Sequence, residues 1–113
     1  MDVIQQIRDH EKQVLADSAA ELNRVLAIRR LAKQHGEDVA VQLACLHSLR
    51  RVFVHVLDAR TFAQLFAQED RTAHGWLRKQ YDLLKSWLLH WVQTNHDQLV
   101  APSIRTLLEV LEV

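Results

Sequence analysis

Residues 76–92, with the sequence WLRKQYDLLKSWLLHWV, constrain the fold of this chain more than any other stretch. They hold all three tryptophans and the only tyrosine. At helical spacing their apolar side chains form two adjacent stripes, while the charged side chains share the remaining face. A surface helix needs an apolar arc of only about 100°, so this wider arc predicts a central helix covered on two sides. The first stripe is Leu77, Tyr81, Leu84, Leu88 and Trp91, and the second is Trp76, Leu83 and Trp87.

The tryptophans of this helix have two interpretations. Core packing is the simpler one, because three large rings would dominate the energetics of a small core. The alternative is a groove in which Trp76 or Trp91 is partly exposed and anchors a partner.

The scarcity of glycine and proline favours an all-helical fold with short links. The chain has two glycines and one proline among 113 residues, far fewer than the turns of a sheet-rich domain require. The length predicts a single domain, residues 1–113. Lone Cys45 excludes an intramolecular disulfide and indicates a reducing compartment, and the N-terminal residues lack the pattern of a secretory signal.

The pattern along the first half predicts three helices. The first covers about residues 2–16. The second begins at residues 17–18, where Ser18 and Glu21 match a capping box, and it ends at Gly36, which we expect to be left-handed. The third begins after Glu37 and Asp38, and it continues through RVFVHVL because its helical stripe is unbroken from Val39 to Leu57.

The second half predicts a short helical turn and two longer helices. Thr61 caps the turn, which buries Phe62, Leu65 and Phe66. The central helix starts between residues 70 and 75 and is closed by residues 94–97. In the last helix Pro102 requires either an irregular first turn or a start near Ala101. The apolar side of that helix is predicted to be Leu99, Val100, Ile104, Leu107, Leu108 and Leu111.

These helices predict antiparallel pairs, the second with the third and the fourth with the fifth. Stacked pairs of about 40 residues are the unit of HEAT and armadillo solenoids. A HEAT/armadillo-like solenoid end is therefore the expected all-α architecture, and an irregular five-helix bundle remains the alternative. We interpret the chain as the N-terminal fragment of a longer helical-repeat protein.

The sequence gives no pattern typical of catalysis. Its seven histidines include no pair at the i, i+4 spacing of a helical zinc site. Cys45 lies among apolar residues, where a buried inert thiol is expected. Glycine-rich phosphate loops, nucleophile elbows and paired acids are missing. We therefore expect a non-enzymatic protein without a cofactor, a metal ion or a small-molecule substrate.

Basic residues gather at three places, although the formal net charge is zero. A zero net charge removes any global attraction to nucleic acid or anionic lipid, and the charged face of residues 76–92 is too polar for a membrane span. Because acids are interleaved with the basic residues, solvated helix faces are the simpler interpretation. The candidate contacts for protein or RNA are Arg29, Arg30, Lys33, Arg50, Arg51, Arg78 and Lys79.

The order of these features resembles one family. LNRVLAIRRLAKQ is followed by ACLHSLRRVFVHVLDARTF, then by WLRKQYDLLKSWLLHWV and IRTLLEVLE. This succession resembles the N-terminal helical region of the nucleolar complex protein 4 family, from about residue 14 to the end. The departures are Pro102 and a shorter link before Trp76. The matching positions are Leu49, Phe53, Leu57, Trp76, Leu77, Arg78, Tyr81, Leu107 and Leu108.

The resemblance implies a scaffold function in the nucleolus. Members of the family are helical-repeat assembly factors for the small ribosomal subunit, acting in rRNA processing within an obligate complex with another nucleolar protein. The expected partners are thus nucleolar assembly factors, with pre-rRNA as an additional candidate partner. Two alternatives remain open: a self-associating helical adaptor unrelated to ribosomes, whose seam would be the last helix, and a weak RNA-binding helical domain.

Overall fold

The computed structural model describes residues 2–58 and 71–112. All regular secondary structure in these two ranges is helical, which confirms the all-α prediction. The predicted turn with Thr61, Phe62, Leu65 and Phe66 lies outside the described residues. The helices are α1 (Val3–Ala16), α2 (Ser18–Glu21), α3 (Arg24–Gln34), α4 (Val39–Leu57), α5 (Arg71–Gln93) and α6 (Val100–Glu112).

The chain divides into two compact units, Met1–Val52 and Phe53–Val113. Unit 1 contains α1, α2, α3 and most of α4. Unit 2 contains the end of α4, together with α5 and α6. In unit 1, α1 packs against α3 and is hydrogen-bonded to α4, so that three helices join there. In unit 2, α5 packs against α6, as the predicted pairing of the last two helices requires.

Aspartates begin the first two helices of unit 1. The Asp2 carboxylate accepts a hydrogen bond from the Ile4 amide, and the Asp17 carboxylate accepts one from Ala20. The cap therefore lies within the predicted residues 17–18. The predicted capping box of Ser18 and Glu21 was wrong, because Ser18 is already helical and its hydroxyl donates to the Val14 carbonyl at 2.8 Å. The helix predicted from this point is also interrupted after Glu21, and α3 begins at Arg24.

The end of α3 is stabilised by a side chain of the next helix. Gly36 does not have a positive φ, so the predicted left-handed glycine was wrong. His35 ends α3 instead, and its amide donates to the Leu31 carbonyl. The buried side chain of Gln42 donates to the carbonyls of Ala32 and His35 at 2.8 and 2.9 Å. These bonds satisfy carbonyls that a glycine cap would otherwise serve.

Helix α4 is continuous from Val39 to Leu57, which confirms the helical interpretation of RVFVHVL. The Asp38 carboxylate accepts from the Val41 amide near its start. By length and composition alone α4 could cross a membrane, with a mean hydropathy of 1.2 over its apolar window. Half of that window is buried inside the protein, and buried Gln42 and Ser48 are hydrogen-bonded to α3 and α1. Those contacts are typical of a core helix.

In unit 2, α5 buries most of the first predicted stripe. Leu77, Leu84 and Leu88 are at most 3% exposed, whereas Tyr81 is half-buried and its ring lies 6.4 Å from that of Phe53. Asn95 then terminates the helix with a φ of 52°. The amides of Asn95 and His96 donate to the carbonyls of Val92 and Trp91. This is the Schellman arrangement with asparagine in the left-handed position, and it confirms the predicted closure at residues 94–97.

The start of α6 resolves the question raised by Pro102. The helix begins at Val100, after a turn in which the amides of Leu99 and Val100 donate to the His96 carbonyl. Pro102 consequently lies in the first helical turn, where its missing amide proton leaves no intrahelical bond unmade.

Candidate interaction surface

The outward side of α6 is the most apolar exposed surface that the structure describes. Ile104, Leu108 and Leu111 are 44%, 59% and 61% exposed. With exposed Ala101 they repeat at the 3-4-3 spacing of one helical seam. We call Ala101, Ile104, Leu108 and Leu111 the outer stripe. Single exposed leucines are ordinary on protein surfaces, but a contiguous row of them marks an interaction site.

The side of α6 that faces inward is less apolar than the outer stripe. It consists of Leu99, Ser103, Thr106 and Val110, each at most 1% exposed. Within the described residues the Ser103 hydroxyl is buried without a hydrogen-bond partner, which carries a desolvation cost of about 1–3 kcal/mol. The helix therefore has an inward side that is buried and an apolar outer stripe that the described residues of unit 2 leave exposed.

This arrangement corrects the predicted apolar side of the last helix. Leu99 is buried as expected, but Ile104, Leu108 and Leu111 lie outside. Hydrophobicity alone ranks a leucine row above a row with serine and threonine, so it selects the wrong inward side. The exposed side could have been inferred from the width of the apolar arc of α6. Apolar or small residues cover more of the helix circumference than one neighbouring helix can bury.

The tryptophans of α5 are all half-buried, so none of them is a fully enclosed core residue. Trp91 makes edge-on contacts with the rings of Trp87, His90 and His96, at centroid distances of 6.4, 5.0 and 5.5 Å. Its indole nitrogen is buried without an acceptor among the described residues. This cluster joins the end of α5 to the turn that leads into α6.

The predicted basic contacts on α3 are only partly accessible. Arg30 and Lys33 are exposed at i, i+3 spacing and thus lie on one side of the helix. Arg29 is half-buried, and this burial lowers the pKa of its guanidinium. Two exposed cations on one helix are a small electrostatic surface for RNA.

Arg51, a second predicted contact, is already engaged. Its Nε and Nη2 atoms donate to the two oxygens of Glu11 at 2.8 and 2.7 Å, and Ser48 donates to the same carboxylate at 2.6 Å. The bond to Glu11 raises the pKa of Arg51. Neighbouring Arg50 is half-buried. Arg51 therefore joins α4 to α1, which is a structural function that its position in the sequence did not reveal.

The remaining basic candidates, Arg78 and Lys79, are exposed on α5. As consecutive helical residues they point about 100° apart. They belong to unit 2, whereas the other candidates belong to unit 1. The structure thus places the seven residues on three helices, five of them in unit 1 and two in unit 2.

Two other polar groups have local roles. His10 accepts a hydrogen bond from Arg24 at 3.0 Å, and burial together with the Arg24 charge lowers the pKa of the imidazole. Cys45 is buried, and burial raises the pKa of its thiol to about 12. Within residues 2–58 and 71–112, no three His, Cys, Asp or Glu side chains could hold a metal ion together.

In comparisons with known proteins, no family model, no curated protein and no solved structure matches this chain.

Proposed function

We propose that this chain is a non-enzymatic scaffold module of a nucleolar assembly factor for the small ribosomal subunit. It holds protein partners through helix faces during rRNA processing, and α5 and α6 form the end of a HEAT-like solenoid. The observation that carries the binding role is the outer stripe of α6, which places three large aliphatic side chains in water.

The physical support is the energetic cost of that exposure. Burying apolar surface contributes about 25 cal/mol per Å². A half-exposed leucine therefore gains only part of the free energy that full burial of its side chain would provide. A helix that leaves its leucines outside and encloses Ser103 and Thr106 gains from a partner on its outer side. A scaffold that binds other helices supplies such a partner.

The assignment to ribosome assembly rests on the resemblance described above. Its most specific part, W-L-R-x-x-Y, corresponds to Trp76, Leu77, Arg78 and Tyr81 in α5. Of these, Leu77 is buried and Tyr81 contacts Phe53, so these two support the packing of unit 2. The resemblance therefore supports a shared fold, from which the nucleolar role is proposed.

Affinity capture of the tagged chain from nuclear extract tests the proposal. We expect small-subunit precursor proteins and pre-rRNA to co-purify with the wild-type chain. Leu108→Asp should reduce their recovery, since it places a charge in the outer stripe. Leu89→Asp is the matched control, because Leu89 is exposed to a similar degree, 45%, but lies on α5 outside the stripe.

Recovery of no precursor component by a chain shown to be helical would contradict the nucleolar role. Recovery that is equal for all three chains would contradict the role of the outer stripe.

A self-associating adaptor is the second candidate function, because a second copy of the chain would also cover the exposed stripe. Sedimentation of the isolated chain decides between the two. A dimer that Leu108→Asp dissociates would replace the scaffold proposal with self-association.

A further inference from the structure

We infer that the outer stripe of α6 takes one amphipathic partner helix, with aliphatic residues along its seam and an acidic residue beside that seam opposite Arg105. This inference deepens the proposed scaffold function and rests on it, because it specifies the chemistry of the helix that the scaffold holds.

The spacing of the outer stripe favours a helix as the occupant. Ala101, Ile104, Leu108 and Leu111 occupy the positions of alternating a and d residues in a heptad. Such a narrow, straight seam accepts the i, i+3, i+4 and i+7 anchors of another helix. The small side chain of Ala101 allows the two backbones to approach closely at the start of α6.

Charge beside the seam specifies the flank of the partner. In this register Arg105 occupies the e position, next to Ile104 and Leu108, and it is exposed. Among the described residues it makes no ion pair, unlike Arg51 and Lys85, which are paired with Glu11 and Asp82. An acid on the incoming helix would meet this guanidinium, and charge pairs at e and g positions set partner choice between helices.

The same charge disfavours a second copy of this chain. In an antiparallel pair that overlaps along the whole stripe, the two-fold axis passes near residue 106, so the two Arg105 side chains meet as like charges. In a parallel pair the position facing Arg105 is Val100, an apolar residue. Neither arrangement supplies an acid.

The size of the stripe points the same way. A stable interface buries about 800 Å² on each partner, and three half-exposed side chains in one row are well below that area. A pair of copies held by this row alone would be weak. A partner helix belonging to a larger assembly needs the stripe only as one contact among several.

Two designed peptides of three heptads, about 21 residues each, test the inference with the complete chain. Both carry leucine at a and d. One carries a single glutamate at the position that faces Arg105, and the other carries a single lysine there. Glutamine fills the remaining e and g positions of both peptides, because the other e position of α6 is occupied by Glu112. Because the formal net charge of the chain is zero, overall attraction does not separate the two peptides. Fluorescence anisotropy of labelled peptide measures the dissociation constants.

We expect the glutamate peptide to bind about fivefold more tightly than the lysine peptide, since exposed charge pairs contribute up to about 1 kcal/mol. Arg105→Glu should invert this preference. Leu108→Asp should weaken both peptides at least about tenfold, whereas Leu89→Asp should leave both unchanged. Circular dichroism of each variant shows whether its helices are retained.

A peptide preference that survives Arg105→Glu would overturn the inference, as would equal losses from Leu108→Asp and Leu89→Asp. A dimer of the chain that competes with the peptide would replace the partner helix with a second copy. The assay involves no nuclear component. Peptide binding without recovery of precursor components therefore refutes the nucleolar role alone, and recovery without peptide binding refutes the inference about α6 alone.

Discussion

The carboxylate of Glu11 joins two helices that are distant in the sequence. It accepts from Ser48 and from two nitrogens of Arg51, which are 37 and 40 positions away in the chain. Burial by itself would raise the pKa of Glu11, but the hydrogen bonds from Arg51 and Ser48 outweigh burial and hold that pKa below its ordinary value. A carboxylate bound by three donor atoms of another helix stabilises the contact between α1 and α4.

The lowered pKa predicts an acid-dependent stability. A group whose pKa is depressed by folding stabilises the native state above its unfolded pKa, and it loses that contribution as the pH falls through the folded pKa. Urea unfolding at pH 7 should therefore show Glu11→Gln to be about 1–2 kcal/mol less stable than the wild type, allowing for the exposure of Arg51. Below the ordinary pKa of 4.5 the difference should shrink toward zero.

The control for this prediction is Glu37→Gln, because Glu37 is an exposed acid in the link between α3 and α4. The free energy of unfolding of this variant should match that of the wild type at pH 7 and at pH 3. A difference for Glu11→Gln that persists unchanged at pH 3 would show that packing, and not the charge, was lost.

Hydrogen bonds between residues so far apart in the chain could not be predicted from the sequence. Arg51 resembles any solvated arginine in a one-dimensional pattern, and its partner lies on a helix 40 positions earlier. Helix caps formed by residues close in the chain were easier to predict. Even there the choice between Asp17 and Ser18 depended on the backbone angles of Asp17, φ −150° and ψ 80°, which no propensity specifies to one residue.

At the scale of helices, the ends of α3, α4 and α5 came close to their predicted positions. Long runs with period 3.6 define a helix well, and the acid at Asp38 and the polar turn at residues 94–97 act locally. The interaction that ends α3 could not be predicted from the sequence. Gly36 has the right identity for a left-handed cap, yet Gln42 supplies the donors from the following helix.

Gln42→Leu tests that helix end. Leucine has a similar volume but no donor, so the carbonyls of Ala32 and His35 each lose a hydrogen bond, the one to Ala32 being buried. We expect unfolding to require about 1–3 kcal/mol less free energy than in the wild type. Gln34→Leu, at an exposed position of α3, should change stability by less than about 0.5 kcal/mol.

Chemical denaturation followed by circular dichroism measures both variants under the same conditions. Equal effects of the two substitutions would refute a special role for Gln42 and would attribute the end of α3 to the chain around His35 alone.

For the whole molecule, composition predicted the all-helical class correctly, because two glycines and one proline cannot supply the turns of a sheet. The candidate surface was predicted only in part. The last helix was expected as a seam for self-association, but its apolar residues were also assigned to the inward side. Which of two apolar sides is buried depends on the neighbouring helix, and that information is not contained in the periodicity of α6 itself.

The assignment of the outer stripe to the surface predicts that it contributes little to folding. Replacing Ile104, Leu108 and Leu111 together by glutamine should change the free energy of unfolding by no more than about 1.5 kcal/mol, the sum of three surface effects. Leu99→Ala, at a position that is 0% exposed, should cost about 2–5 kcal/mol. Thermal and urea unfolding of the two variants provide the comparison.

A triple variant as unstable as Leu99→Ala would place the stripe inside the folded molecule and remove the candidate surface.

The enclosed thiol of Cys45 has a practical consequence for anyone who handles this protein. With its pKa raised to about 12 and its sulfur pointing toward the Ile28 carbonyl, the side chain is almost entirely protonated at neutral pH and is shielded from oxidants. Folded molecules should therefore withstand storage in air without cross-linking. Disulfide-linked dimers on a non-reducing gel would therefore show which fraction of the molecules had unfolded during storage and exposed this cysteine.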